Sequence, residues 1–181
     1  GGSGVFRSDG THVTAVAEFG SDIGCAVWSH PDADDSGSVC FYAADGTGKT
    51  ALLGARDGEI TRLADAAGPL GPTTNADGTI AFRAPVADAG EGVFTIGTDV
   101  VTTVADTTGR FAAFHGLPVI DADGRTVFRA DDRNGREGIH LHDGHGLETV
   151  VETGDRFASL GFFPFAHDAG TIVFCGETRV G

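Results

Sequence analysis

Four times along this chain a proline is followed six residues later by a glycine, and four residues after that by a phenylalanine. The positions are Pro31/Gly37/Phe41, Pro72/Gly78/Phe82, Pro118/Gly124/Phe128 and Pro164/Gly170/Phe174, so the register steps by 41, 46 and 46 residues. Four of the six prolines occupy this one position, which makes a chance recurrence a poor explanation. A fixed period in the forties is the mark of a repeat architecture, in which a unit cannot bury its own apolar face and must pack against its neighbours.

Local chemistry accounts for each copy. Three residues before the glycine stands Asp34, Asn75, Asp121 or His167. Asp and Asn side chains accept hydrogen bonds from backbone amides just downstream and so close a turn. The glycine then supplies the positive φ that such a turn needs. Residues 38–42, 79–84, 125–130 and 171–175 follow, rich in β-branched and aromatic side chains, and are predicted strands. The other half of the unit repeats more loosely. Eleven residues after the phenylalanine an apolar position returns at Leu52, Val93 and Ile139, followed by turns at Asp57-Gly58, Gly97 and Asp143-Gly144 and by strands over 59–65, 100–106 and 147–152. Gly4-Val5-Phe6, Asp9-Gly10 and residues 12–18 are the same half-unit at the start.

Counted circularly, Phe174 to Val5 is 12 steps against 11 in the internal units, and Pro164 to Pro31 is 48. Radial repetition of roughly four-stranded sheets in about four to eight blades defines the β-propeller. The expectation is an all-β, single-domain fold over residues 1–181: a four-bladed propeller with blades of about 41–48 residues, closed by pairing of N- and C-terminal strands, Val5–Arg7 against Ile172–Cys175. Glycine-centred turns are expected at 37, 78, 124 and 170, with Phe41, Phe82, Phe128 and Phe174 in the core. The chain is expected to be a monomer, or a dimer if the four repeats are half of a larger ring.

Composition narrows the partners. A chain of this length buries roughly 70% of its unfolded surface without needing metal or disulfide. No stretch of ten residues shows helical periodicity, and 29 glycines interrupt what runs exist. The net charge of −14 repels phosphate backbones and anionic lipid, so neither nucleic acid nor membrane insertion is expected. Nothing approaches the roughly 18 apolar residues of a membrane span. Gly1-Gly2-Ser3-Gly4 shows neither methionine nor a signal-peptide pattern, so the segment is expected to be a mature or excised piece, or to carry a cloning remnant, and its targeting signal is not visible. The cysteines, Cys25, Cys40 and Cys175, fit no metal spacing. Cys40 stands where other units carry Ala81, Val127 and Val173, which points to a buried free thiol; a bridge between Cys25 and Cys175 stays open.

At Asn75–Phe82 the chain reads N-x-x-G-x-x-A-F, and in this it resembles bacterial surface proteins with tandem NxxGxxAF repeats, of the choice-of-anchor type. Other copies depart at the first position (Asp34, Asp121, His167) and at the alanine (Cys40, Val127, Val173). Phe82-Arg83-Ala84 and Phe128-Arg129-Ala130, followed by Gly92-Val93-Phe94 and Gly138-Ile139, look like the same family's continuation. TolB-like propeller repeats are more distantly similar. The resemblance implies a secreted or cell-surface repeat module with no assigned chemistry.

Three stretches invite a sharper reading. Residues 43–50, ending Gly48-Lys49-Thr50, fit a relaxed phosphate-loop pattern, but that chemistry requires the loop to open a helix. Asp32, Asp34 and Ser36 alternate as oxygen ligands suited to calcium, yet the late bidentate carboxylate is missing and an Asx turn explains all four copies. His140 and His142 lie two apart on a strand and share a face, with His145 or Asp143 beside them, a candidate zinc site; the equivalents of His140 elsewhere are Phe94 and Phe6. No serine sits in a G-x-S-x-G elbow, and with Trp28 and Tyr42 the sole Trp and Tyr, no repeated stacking ring for sugars is present. The favoured expectation is a non-enzymatic extracellular module, without a required cofactor, binding a protein, glycan or other surface ligand through loops at one face. Its alternative is a metal-dependent enzyme or metal-binding propeller using the histidine site of one blade.

Overall fold

A computed structural model describes residues 4–18, 20, 29–44, 47, 49–65, 68–86, 90–168 and 170–179; Cys25, Trp28 and Gly48 lie outside them. All regular elements among the described residues are strands. β1 (Gly4–Ser8) and β2 (Val13–Glu18) form a hairpin. Three four-stranded antiparallel meanders follow: β3 (Asp32–Ala33), β4 (Val39–Ala44), β5 (Thr50–Arg56) and β6 (Glu59–Ala64); β7 (Thr73–Thr74), β8 (Ile80–Val86), β9 (Gly90–Ile96) and β10 (Val101–Asp106); β11 (Phe111–Ile120), β12 (Thr126–Asp132), β13 (Glu137–His142) and β14 (Leu147–Glu152). The last four strands, β15 (Phe157–Leu160), β16 (Phe165–His167), β17 (Thr171–Val173) and β18 (Gly176–Thr178), pair as β15 with β18 and β16 with β17.

The repeated turn forms as its sequence demands. In the first three copies the glycine amide donates to the backbone carbonyl of Asp34, Asn75 or Asp121 at 3.0 Å, and the side-chain Oδ1 of that residue accepts the amide four positions on, at 2.9 to 3.0 Å. Gly170 donates likewise to His167 at 2.8 Å. Gly78 and Gly124 sit at φ of 77° and 78°, where an L side chain is strained.

The sheets pack face to face in a row, and strand alternation decides which neighbour each residue meets. In β4, Val39, Phe41 and Ala43 pack with Ala17 of the first hairpin, whereas Cys40 and Tyr42 on the opposite face meet Ile80, Phe82 and Ala84 of the next sheet. Val93 then joins Phe111, Phe114, Phe128 and Ala130, and Val127 and Ile139 join Leu160 and Ala166. Phe41, Phe82 and Phe128 are each 1% exposed and each faces the unit before it. Phe174 packs the same way but only half-buried, because no neighbouring strand among the described residues covers it.

The closed four-bladed propeller expected from the period does not form. Among the described residues β1 pairs with β2 alone and β17 with β16 alone, so the expected joint between Val5–Arg7 and Ile172–Cys175 is absent. The described core clusters join neighbours in sequence, and none links the first hairpin to the last strands. Val173 and Phe165 are 57% and 58% exposed where their counterparts face a further unit. The result is an open series of small sheets.

Candidate functional site

A cleft of about 580 Å³ opens between the β3–β6 and β7–β10 sheets at the end where their turns gather. Turn chemistry supplies its charge. Asp57 adopts φ 51° ahead of Gly58 at 85°, the two-residue hairpin geometry that favours Asp-Gly, and Asp99 adopts φ 60° in the β9–β10 turn. With Asp34, Glu59 and Asp77 they give the cleft five carboxylates against one guanidinium, Arg56, which itself lies 3.7 Å from Asp57. No aromatic ring lines it.

Cys40 sits at its floor, buried and free. Burial, reinforced by Asp32, pushes the thiol up to about 12, which leaves it protonated and a poor nucleophile. Cys175 is exposed; Cys25, its suggested partner, lies outside the described residues.

The calcium candidates are already engaged. Asp32 Oδ1 accepts the Ala33 amide and its Oδ2 the Thr74 amide of the next unit, both at 2.9 Å. Asp34 Oδ1 accepts Ser36 Oγ at 2.7 Å and the Ser38 amide at 2.9 Å, and Ser36 Oγ lies 2.9 Å from Ser38 Oγ. Burial pushes the Asp34 carboxyl up, but the bonds from Ser36 and Ser38 outweigh it and hold the group low. These side chains build the turn and its link to the neighbouring sheet. In the phosphate-loop stretch the described residues enter β5 at Thr50, a strand rather than a helix.

His140 occupies the slot of an aromatic core residue. It is 2% exposed, its ring centroid 4.8 Å from Phe111 and 5.6 Å from Phe128, matching the 5.6 Å between Phe82 and Phe94 one unit earlier. The ring lies over Gly138, whose missing Cβ would stand 2.5 Å from Nε2, as Phe94 lies over Gly92. Nδ1 is 3.3 Å from Thr149 Oγ1. Burial, then the charge of Arg110, brings the imidazole down to about 4. His142 is half-buried and its Nδ1 accepts the Gly144 amide at 3.2 Å. His145 is exposed; Asp143 Oδ1 accepts the amides of His145 and Gly146 at 2.8 Å, bonds that hold that carboxyl low. Among the described residues no three His, Cys, Asp or Glu side chains form a group that could hold a metal ion.

Sequence reasoning passed over a repeated ionic latch. Arg83 and Arg129, 6% and 2% exposed, are the arginines of the two Phe-Arg-Ala runs, and each pairs with a glutamate eight residues on, Glu91 or Glu137. The glutamate reaches into the next unit: Glu91 Oε1 accepts the Phe114 amide at 2.9 Å and Glu137 Oε2 the Leu160 amide at 2.6 Å. Arg129 also bonds Asp131 and lies 5.2 Å from the Phe162 ring centroid. The shared eight-residue spacing was the signal available in the sequence.

No family model matches the chain, and no curated protein matches it.

Proposed function

We propose that this protein is a non-enzymatic interaction module and that the cleft between the β3–β6 and β7–β10 sheets receives a cationic segment of a protein partner. The carrying observation is the cleft itself: room for several side chains, five carboxylates and one arginine on its walls, and a rim of turns held by rigid sheets. A cationic ligand gains from every wall, whereas a sugar would find no ring in the cleft to stack on. The resemblance to tandem-repeat surface proteins is the support for an extracellular setting.

Calorimetric titration with a hexalysine peptide at low ionic strength tests the reading. Asp57→Asn with Asp99→Asn removes two wall charges while keeping residues that tolerate positive φ. Two charges near 5 Å at high effective dielectric are together worth about tenfold in affinity. The control, Glu148→Gln with Asp155→Asn, removes the same charge outside the cleft and should leave binding nearly unchanged. Absence of saturable binding, or equal losses in both variants, refutes the assignment.

A further inference from the structure

Resting on the cleft as a site for a cationic segment, we propose that its selective element is a place for one arginine side chain of the partner, whose guanidinium lies on Gly78 and is held by Asp34 Oδ2. The observation behind it is that the chain fills the equivalent place at two other junctions between neighbouring sheets with arginines of its own.

Two units further on, Asp121, Arg125, Leu141, Gly170 and Ile172 stand where the cleft has Asp34, Ser38, Gly54, Gly78 and Ile80. There the space closes to about 10 Å³, because Arg125 and Leu141 are long where Ser38 and Gly54 are short. One oxygen of the turn aspartate has the same task in both places: Asp121 Oδ1 accepts the Arg125 amide and Asp34 Oδ1 the Ser38 amide, each at 2.9 Å. The other oxygen differs. Asp121 Oδ2 accepts Arg125 Nε at 2.8 Å and lies 2.7 Å from Nη2, which is also 3.4 Å from Asp123 Oδ2. The guanidinium so held reaches over the glycine of the following turn, its terminal nitrogens 3.4 and 3.5 Å from where a Cβ on Gly170 would stand. Asp34 Oδ2 receives no hydrogen bond among the described residues, and it lies 3.1 Å from the same point on Gly78.

Where the first hairpin meets the β3–β6 sheet the cation comes from the other wall. Arg7, two residues after Val5 as Gly54 is two after Leu52, sets Nη1 3.7 Å from the Cβ point of Gly37, and about 30 Å³ of space remains. Between the β7–β10 and β11–β14 sheets the turn carries the neutral Asn75, and nothing stands within 4 Å of that point on Gly124. Asp34 is thus the turn aspartate that keeps the charge and lacks the arginine. Ser38 and Gly54 leave room for the stem of the incoming side chain, and Asp77 and Asp99 add negative charge on the facing wall. A guanidinium suits this place better than an ammonium: its planar fork sets two donors on one carboxylate, and it is the more weakly hydrated of the two.

The test compares hexaarginine with hexalysine by calorimetry at one ionic strength. The unaltered protein should bind hexaarginine about tenfold more tightly, the worth of one further charge-assisted hydrogen bond. Asp34→Asn keeps the turn, since Asn75 makes it one unit on with Oδ1 accepting the Thr79 amide at 3.0 Å, and should bring hexaarginine close to hexalysine. Asp57→Asn with Asp99→Asn should weaken both peptides alike. Ser38→Arg, which supplies the side chain from within as Arg125 does, should also erase the preference, and with the comparison of the two peptides it decides the matter if Asp34→Asn fails to fold. Absence of saturable binding by either peptide sinks the cleft reading and this inference with it. Saturable binding with equal affinities, equal weakening of both peptides by Asp34→Asn, or a preference that survives Ser38→Arg overturns the arginine assignment and leaves the cleft standing.

Discussion

Replacing Arg129 with methionine should cost the fold less than replacing its partner Glu137 with alanine, although the arginine makes more contacts. Arg129 is 2% exposed, while the side chains of Asp131 and Glu137 are 28% and 30% exposed. Removing Glu137 leaves a guanidinium in the interior with one carboxylate, and it strips the Leu160 amide of its acceptor. Breaking a buried pair costs about 3–5 kcal/mol, and an orphaned buried amide about 1–3 kcal/mol. Discounted for the remaining Asp131 and for the water that reaches Glu137, the loss comes to about 2–4 kcal/mol. Arg129→Met removes the charge itself together with Nε, which has no partner in the fold. The two carboxylates regain water; Asp131 keeps His115 at 3.0 Å and Glu137 keeps Leu160, while methionine fills the arginine stem. That substitution should cost about 0–2 kcal/mol. Urea unfolding followed by fluorescence measures both, and each kcal/mol moves Tm by about 2–4 °C at this size. Arg83→Met against Glu91→Ala is the internal replicate, with a smaller gap because the Gly116 carbonyl loses its donor from Arg83. An arginine variant less stable than the glutamate variant in both units would refute the reasoning.

His140→Phe should fold, restoring the residue found at Phe94, and should flatten the acid limb of the stability curve. Because burial depresses the folded imidazole to about 4, its contribution is complete above the unfolded value near 6.5 and is lost as pH falls from there toward 4, about 2 kcal/mol between pH 7 and pH 5; thermal melts at both pH values check it, and an equal pH dependence in the variant counts against it. Phe128→Ala should cost about 3–5 kcal/mol by urea unfolding, and Phe174→Ala about half of that, since Phe128 is 1% exposed and Phe174 only half-buried.

The turns were legible because their cause is local. An Asp or Asn oxygen meets an amide four residues on whatever surrounds it, so Asp34, Asn75 and Asp121 place the turns, and the strands after them begin within a residue of expectation. Closure was not legible. Counting residues from Phe174 to Val5 measures chain length, and equal lengths say that two halves match without saying that they meet. The direction in which one sheet sits on the next is decided by side chains from both, such as Tyr42 reaching the backbone of Arg83 at 3.1 Å. The same limit hid the setting of His140. Its spacing from His142 showed a shared face, but the rings of Phe111 and Phe128 that enclose it come from other strands. The acidic cleft needed two sheets at once, since Asp57 and Asp99 lie on different units.

Since each described core cluster joins only units adjacent in the row, the folded chain behaves like a short one-dimensional lattice. An interior sheet is held by two interfaces and a terminal one by a single interface, so opening should begin at the ends and travel inward. Amide exchange would then be slowest in β4, β8 and β12 and grade outward on both sides, without one global value for all. A lattice of this kind also tolerates a change in its own length: a duplicated or deleted block of 46 residues adds or removes one interface and leaves the others as they were.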